Sequence, residues 1–151
     1  ALNSINERVK GFRDTIKGHP QYKIVEEKES AAEFEIAMKV MEKIIYEKKN
    51  YDVVMGGNDP IALGCIAAMQ MTDKTDQVMV YGVDGSPDGK AMIKAGFLEG
   101  TAAQSPIKIG EKAVQTAYSY LAGETVKKHV TIPVELITAD NLKFYDMTGW
   151  Q

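Results

Sequence analysis

The sequence is poor in the residue types that build disulfide frameworks and zinc sites. Its 151 residues include one cysteine, Cys65, and two histidines, His19 and His129. A single cysteine cannot form an internal disulfide, and the two histidines lie too far apart along the chain to complete a zinc site with it. We therefore expect no structural disulfide and no bound metal ion.

Long apolar runs and an excess of positive charge are also absent. No uninterrupted apolar stretch approaches the ~18–20 residues that span a bilayer. The 18 Lys and Arg residues against 21 Asp and Glu give a formal net charge of −3, which argues against binding to the phosphate backbone of nucleic acids. What remains is the ordinary composition of a globular protein, 44% hydrophobic and 26% charged, at about the length of one domain.

The motifs of nucleotide-binding proteins are missing as well. The segment GSPDGK at 85–90 differs from a phosphate-binding loop, because it is one residue short between the glycines and Ala91 stands where Ser or Thr is required. No G-x-G-x-x-G follows a predicted strand. The sequence also offers no nucleophile with a partner base. We therefore expect a protein that is not an enzyme and that needs no cofactor.

Helical and strand patterns alternate along the chain. Apolar spacing predicts helices at 4–17, 31–49, 60–71, 87–96 and 106–121, with a short helix at 140–147. Apolar runs predict strands at 22–26, 52–56, 78–83, 98–103 and 130–137. This alternation is typical of βαβ units, so we expect an α/β fold with a mainly parallel sheet and helices on both faces. Cys65 lies in an almost wholly apolar helix and is predicted to be a core residue.

Three predicted strand-to-helix junctions share one design. In each, a polar side chain ends the strand, an N-cap residue type follows, and a proline begins the helix. The junctions are Asn58-Asp59-Pro60, Asp84-Gly85-Ser86-Pro87 and Gln104-Ser105-Pro106. Proline suits the first helical position, and Asp59, Ser86 and Ser105 are of the types that cap helices. We therefore predict that these three residues are the N-caps.

The polar residues that end the strands, Asn58, Asp84 and Gln104, suit the binding of a polyol. The carboxyl ends of parallel strands lie along one edge of a sheet, where ligands of open α/β folds bind, so we expect the three side chains to face one crevice. Amides donate and accept, and a carboxylate accepts at two oxygens, which matches vicinal hydroxyl groups. The alternative is that they cap helices or satisfy loop backbone. The agreement of three junctions favours a binding site.

Around these junctions the sequence resembles the second half of the type 1 periplasmic sugar-binding proteins, and in particular the ribose-binding branch that serves ABC importers. The resemblance covers essentially all 151 residues, in the same order along the chain. It is carried by NERVKGF (6–12), GNDPIALG (57–64), VYGVDGSPD (80–88), AQ (103–104) and IPVEL (132–136).

The resemblance implies which residues hold the ligand. Asn58, Asp84 and Gln104 fall on positions that hydrogen-bond the sugar in this family. Asn6 stands where ribose binders have an arginine that grips the sugar, which makes Asn6 a further candidate contact. Since this position differs, the resemblance leaves the identity of the sugar open.

Three more positions matter to the comparison with ribose binders. Ala32, on an ungapped reading, stands where they have an aromatic residue that packs on the sugar ring. Phe34 takes that role only if the chain shifts locally. Arg8 matches a family arginine whose expected role is structural.

The family fold implied by the resemblance has two α/β lobes joined by a three-strand hinge, with the ligand enclosed between them. Residues 1–103 would form most of the C-terminal lobe. Residues 104–135 would cross the hinge and pack on an N-terminal lobe missing from this chain, and residues 136–151 would return. The chain opens without an initiator Met or a signal-like segment, so we expect that an upstream part has been removed.

The function implied by the resemblance is that of the solute-binding component of an ABC-type sugar importer, located outside the cytoplasm in the periplasm or as a membrane-anchored lipoprotein. Its partners would be a sugar or sugar-like molecule, the membrane permease and the missing lobe, with no nucleic acid. The alternative is the effector-binding core of a lactose-repressor-type transcription regulator, which shares the fold. The segment GVDGSPD at 82–88 favours the transport branch, and the upstream sequence (a signal peptide or a helix-turn-helix) would distinguish the two.

Overall fold

The computed structural model describes residues 2–48, 50–72 and 78–150. From residue 53 onward its strands and helices alternate as predicted, whereas the first two helices follow each other without the strand predicted between them. The helices are α1 (Asn3–Ile16), α2 (Phe34–Tyr46), α3 (Asp59–Gln70), α4 (Pro87–Lys94) and α5 (Pro106–Leu121), and a short 3₁₀ helix covers Leu142–Phe144. The strands are β1 (Val53–Met55), β2 (Met79–Asp84), β3 (Gly100–Ala103) and β4 (Glu135–Thr138). Within the described ranges, no helix combines the length and the apolar character needed to cross a membrane.

The described strands form one sheet in the order β1-β2-β3-β4. β1, β2 and β3 run parallel, and β4 runs antiparallel to β3. In this register Asp84 lies beside Ala103, so the carboxyl ends of β2 and β3 meet at the same edge. The predicted α/β class with a mainly parallel sheet is therefore confirmed.

Helix α3 lies at the centre of the core. Of its 12 residues, all within the described chain, the buried ones are Asp59, Ala62, Gly64, Cys65, Ile66, Ala68 and Met69. A Cβ at Gly64 would collide with the Phe34 carbonyl oxygen, so glycine allows α2 and α3 to approach closely. Cys65 is 7% exposed, as its apolar surroundings in the sequence predict.

Three predicted elements are absent from the structure or at most half as long as predicted. The segment 22–26, predicted as a strand, has no regular structure. A strand needs a neighbour to satisfy its backbone N–H and C=O groups, and no strand in the described ranges pairs with this segment. The strand predicted at 130–137 is limited to Glu135–Thr138, and the helix predicted at 140–147 to the single turn Leu142–Phe144.

Helix α5 has the bounds predicted from the sequence, but it packs differently from α3. None of its 16 residues, which are all described, is buried. Its apolar side chains face solvent: Ile107 is 59% exposed, Val114 56% and Leu121 80%. The helix therefore presents an apolar surface that the described part of the chain leaves uncovered.

The C-terminal segment is attached to α4 through Lys90. This lysine is 0% exposed, and its Nζ donates hydrogen bonds to the backbone oxygens of Asp146 and, at 2.6 Å, Gly149. Burial lowers the pKa of Lys90, while the charges of Asp146 and Asp59 oppose that shift. The two carbonyl oxygens compensate part of the cost of burying the ammonium group.

Candidate functional site

Side chains from three segments meet where β2 ends. Gln104 Nε2 donates a hydrogen bond of 2.7 Å to Asp84 Oδ1. Arg8 Nη2, from α1, lies 3.2 Å from the same oxygen, and Arg8 Nη1 donates to the Gly57 carbonyl oxygen at 2.8 Å. The structure thus brings Asp84 and Gln104 into direct contact, and Arg8 connects them to the backbone just before Asn58.

Asn58 acts first as a helix cap. Its Oδ1 accepts a hydrogen bond of 2.9 Å from the Ile61 backbone N–H, and its Nδ2 donates to the Ala32 carbonyl oxygen at 3.2 Å. An amide group offers two N–H donors, and one of those of Asn58 has no partner among the residues that the structure describes. The structure therefore assigns Asn58 the capping role that the sequence left as an alternative, and its contact with a ligand stays a prediction.

The prediction that Asp59 caps α3 is wrong, because the cap lies one residue earlier, at Asn58. Asp59 is instead buried, with 1% exposure. Its carboxylate accepts hydrogen bonds from the Ser86 backbone N–H (2.8 Å), the Ser86 hydroxyl (2.6 Å) and the Thr101 hydroxyl (2.6 Å). The Asp59 carboxylate, one residue inside the helix, points to β3 and to the loop after β2 instead of its own helix terminus. Local sequence does not distinguish the two cases.

The other two predicted caps differ from each other. Ser86 caps α4 as predicted, since its Oγ accepts a hydrogen bond of 2.9 Å from the Gly89 backbone N–H. Ser105 occupies the cap position of α5, but its side chain makes no capping hydrogen bond. Its hydroxyl is buried and has no hydrogen-bond partner among the described residues.

The remaining family positions take no part in this contact within the described ranges. Asn6 is exposed on α1, and no hydrogen bond in the described part of the chain links its side chain to Asp84 or Gln104. Ala31 and Ala32 have φ of 50° and 64°, so the backbone there is left-handed and α2 begins only at Phe34 instead of the predicted residue 31. Phe34 is 40% exposed.

Arg8 is the residue whose part in this contact local sequence reasoning missed. It lies on α1, which is rich in charged residues, and nothing in the spacing separates it from Lys10 or Arg13. Arg8 and Asp84 are separated by about half of the sequence, so their contact exists only in the folded structure. The resemblance alone pointed to Arg8, as a residue with a structural role.

Asp84 occupies an unusual electrostatic and backbone environment. Burial raises the pKa of Asp84 above the ordinary value of 3.8, the charge of Arg8 opposes this shift, and the nearby Asp59 adds to it. The Asp84 side chain is 17% exposed, so solvent still reaches the carboxylate. Its φ is 132°, which residues other than glycine rarely adopt. Residues under such strain often lie at binding or active sites.

The described residues add neither a metal site nor a reactive thiol to this edge of the sheet. In the ranges that the structure describes, no group of three or more His, Cys, Asp or Glu side chains is arranged to hold a metal ion. Burial raises the pKa of the Cys65 thiol to about 12, so the thiolate that reacts with oxidants or metals is not populated at neutral pH.

The fold of this chain agrees with that of solute-binding proteins. Residues 2–125 match the family model described as periplasmic binding protein domain. The chain belongs to this family of solute-binding proteins, and the resemblance drawn from its sequence is confirmed.

Individual relatives show the same relationship. The chain is 32% identical over 135 residues to the ribose import binding protein RbsB of Salmonella typhimurium, an alignment that covers 89% of this chain and 45% of that protein. It is 33% identical over 142 residues to the D-apiose import binding protein of Paraburkholderia graminis, covering 93% and 45% of the two chains. The chain spans about half the length of these relatives.

A solved structure agrees with the sequence comparisons. An ABC transporter solute binding protein from Bacillus halodurans, with bound myo-inositol, superposes with a TM-score of 0.84 at 30% identity. The superposition covers 91% of this chain and 47% of the other. The four-strand sheet and its helices are therefore the architecture of about half of such a protein.

Proposed function

We propose that this chain forms one wall of the ligand cleft in the solute-binding component of an ABC-type importer for a sugar or sugar-like polyol. The whole protein would bind its ligand without chemical change, outside the cytoplasm, and deliver it to a membrane permease. The observation that carries the proposal is the Asp84–Gln104 pair at the carboxyl edge of the sheet, in a chain whose relatives are named as import binding proteins.

The hydrogen-bonding capacity of this pair suits vicinal hydroxyl groups. Asp84 Oδ1 is used by Gln104 and Arg8, whereas no described residue bonds to Asp84 Oδ2 or to Gln104 Oε1. Both oxygens accept, and the second N–H of Gln104 Nε2 donates. Asn58 Nδ2 adds one more donor next to the Gly57 carbonyl that Arg8 holds. A polyol would thus meet acceptors from two strands and donors from two amides.

Direct titration tests this proposal. Calorimetry on the complete gene product would use ribose, apiose and myo-inositol, the ligands named for the relatives above. We expect at least one to bind, and we expect Asp84→Ala to abolish the measurable heat. Asp84→Asn keeps the shape but loses the charge, and a hydrogen bond to a charged group contributes about 1.5–3 kcal/mol. Its affinity should therefore fall by roughly tenfold to a hundredfold.

The matched control is Asp140→Asn. Asp140 is an exposed residue in the turn after β4, and because Thr138 pairs with Gly100 at the start of β3, this turn lies at the opposite edge of the sheet. The control should bind like the unaltered protein. Binding by Asp84→Ala with unaltered affinity would contradict the assignment of the site.

We further propose that residues 104–135 cross a hinge and that α5 packs on a second lobe, from which the chain returns through 136–151. The apolar surface of α5, with Ile107 and Leu121 exposed, supports this arrangement. Ligand bound between two lobes would favour the closed hinge position by its contacts with both. Hydrogen exchange tests it: α5 amides should exchange much more slowly in the complete gene product than in the 151-residue chain. Equally rapid exchange in both would contradict the proposal.

A further inference from the structure

A buried network of hydrogen bonds lies beside Asp84, and its members are outside the set of residues assigned to the ligand. Its centre is the carboxylate of Asp59, which is 1% exposed, and Thr101, which is 0% exposed. We propose that Asp59 and Thr101 are positioning residues that hold the backbone of Asp84 in its left-handed conformation and thereby set the affinity for the ligand. The statement about affinity rests on the function proposed above, whereas the statement about the backbone does not.

The conformation of Asp84 needs an external cause. Its φ is 132°, a region in which the Cβ of a residue other than glycine is crowded by the backbone. Such strain persists only where surrounding interactions fix the chain on both sides of the residue. On the N-terminal side, β2 supplies them through its pairing with β1 and β3.

On the C-terminal side, the two backbone N–H groups that follow Asp84 both donate to side-chain oxygens. The Gly85 N–H donates to Thr101 Oγ1 at 3.0 Å, and the Ser86 N–H donates to Asp59 Oδ2 at 2.8 Å. Thr101 Oγ1 in turn donates to Asp59 Oδ1 at 2.6 Å. Both attachments of the chain after Asp84 therefore end on one carboxylate.

The surrounding glycines leave space for this carboxylate. A Cβ at Gly82 would collide with Asp59 Oδ1, and a Cβ at Gly89 would collide with Asp59 Oδ2. Gly85 itself has a φ of 70°, and a Cβ there would collide with Ala103. The chain therefore has no side chain at the places where one would displace the network.

The network affects ligand binding because it determines where the Asp84 carboxylate points. Rotation about φ of Asp84 turns its Cα–Cβ bond relative to Gln104, whose Nε2 donates to Asp84 Oδ1. Without the two attachments, the strained residue would relax toward ordinary extended backbone, and its carboxylate would leave the position it shares with Gln104. A misplacement of about 1 Å in a binding group is enough to reduce its contribution strongly.

The central variant is Thr101→Val in the complete gene product, which keeps the shape of the side chain and removes the hydroxyl. We expect its affinity for the ligand identified among ribose, apiose and myo-inositol to fall by about tenfold or more, the effect of losing roughly one good hydrogen bond. Thr101→Ser restores the hydroxyl and should recover affinity to within about twofold. Asp59→Asn replaces one carboxylate oxygen by an NH₂ group, which would face N–H and O–H donors instead of accepting hydrogen bonds from them. Its affinity for the ligand should therefore resemble that of Thr101→Val.

The matched control separates positioning from general stability. Ile137 is 0% exposed and pairs with Thr101 across the sheet, and its Cδ1 lies beside Gly85. Ile137→Val therefore lowers the melting temperature through lost packing next to the network, without removing any of its hydrogen bonds. Its affinity should stay unchanged. If Thr101→Val binds like the unaltered protein, or weakens binding no more than Ile137→Val does, the proposal is overturned.

A second measurement needs no ligand. The three-bond coupling between the amide and α protons of Asp84, measured by NMR, is small at the observed φ and large in extended backbone. We expect the coupling to rise in Thr101→Val and to stay small in Thr101→Ser; a coupling unchanged in Thr101→Val overturns the proposal. If the unaltered protein binds none of the three polyols, the proposed function fails, and this coupling alone decides the inference about positioning.

Discussion

Helices α3 and α5 are both rich in apolar residues, and the fold uses them in opposite ways. Most of α3 is buried, including Ala62, Ile66 and Met69, whereas none of the described residues of α5 is buried. Helix α3 contacts α2 on one side and the sheet on another, so apolar residues all round it are covered. The comparison teaches that apolar composition predicts a helix that can be buried, and that the presence of covering elements decides whether it is.

The largest difference between the two helices should appear in large-to-small substitutions. Ile66 is 2% exposed and Leu121 is 80% exposed. In the 151-residue chain, Ile66→Ala should lower the free energy of unfolding by about 2–5 kcal/mol because it leaves a cavity. Leu121→Ala should change it by less than about 0.5 kcal/mol. Urea unfolding followed by circular dichroism measures both.

The same two substitutions can also contradict this comparison of α3 with α5. In the complete gene product, Leu121→Ala should become clearly more destabilising if α5 packs on a second lobe. A large effect of Leu121→Ala in the 151-residue chain itself would mean that α5 is covered there, contrary to the exposure described above.

A smaller difference in stability between the two helices is expected when one methyl group is added to each. A Cβ at Gly64 of α3 would collide with the Phe34 carbonyl oxygen, whereas a Cβ at Gly110 of α5 has no atom within 4 Å. Gly64→Ala should therefore destabilise the chain by about 1–3 kcal/mol through overpacking. Gly110→Ala should stabilise it by up to about 1 kcal/mol, since alanine favours helix over glycine. Melting temperatures that move in the same direction in both variants would contradict this prediction.

Two lysines extend the comparison to polar side chains. Removing the buried Lys90 ammonium by Lys90→Met leaves the backbone oxygens of Asp146 and Gly149 without these hydrogen bonds. We expect a loss of about 1–2 kcal/mol, because only one partner of each hydrogen bond is removed. Limited proteolysis should then cut the segment after the 3₁₀ helix more rapidly.

The control is Lys108→Met on α5, an exposed position, which should leave stability within about 0.5 kcal/mol of the unaltered chain. Cleavage of the C-terminal segment at the same rate in both variants would show that Lys90 does not hold that segment.

The smallest effect on stability is expected from a substitution on α1, which like α5 has no buried residue in the described chain. Asp14 lies 2.5 Å from Lys10 Nζ and 2.8 Å from Lys17 Nζ. Hydrogen bonds and charge from these lysines lower the pKa of Asp14 from 3.8 to about 2. A lowered carboxyl pKa stabilises the fold above the unfolded value and ceases to do so as the pH falls through the folded value.

Asp14→Asn should therefore lower the melting temperature slightly near neutral pH, and the difference should vanish at about pH 2 and below. Salt should also reduce it, because the pairs are exposed to solvent. A difference that persists in acid would assign the effect to something other than these ion pairs.

Much of the fold followed from local patterns. The bounds of α5 and the burial of Cys65 agree with the apolar periodicity and the Ser-Pro junction that predicted them. The prediction of a strand at 22–26 was wrong for a non-local reason, because residues that favour strands form one only beside a partner strand. The direct contact of Asp84 with Gln104 agrees with the expectation that parallel strands end at one edge.

The sequence by itself determined the α/β class, the parallel strands and the residues that end them, because hydrophobic periodicity and proline-marked junctions act over a few neighbouring residues. Only the tertiary structure decided that Asn58 caps α3, that Asp59 is buried beneath the loop after β2, and that Arg8 reaches Asp84. Those contacts join segments far apart in the chain, and a side chain's partner across that distance depends on how the elements pack.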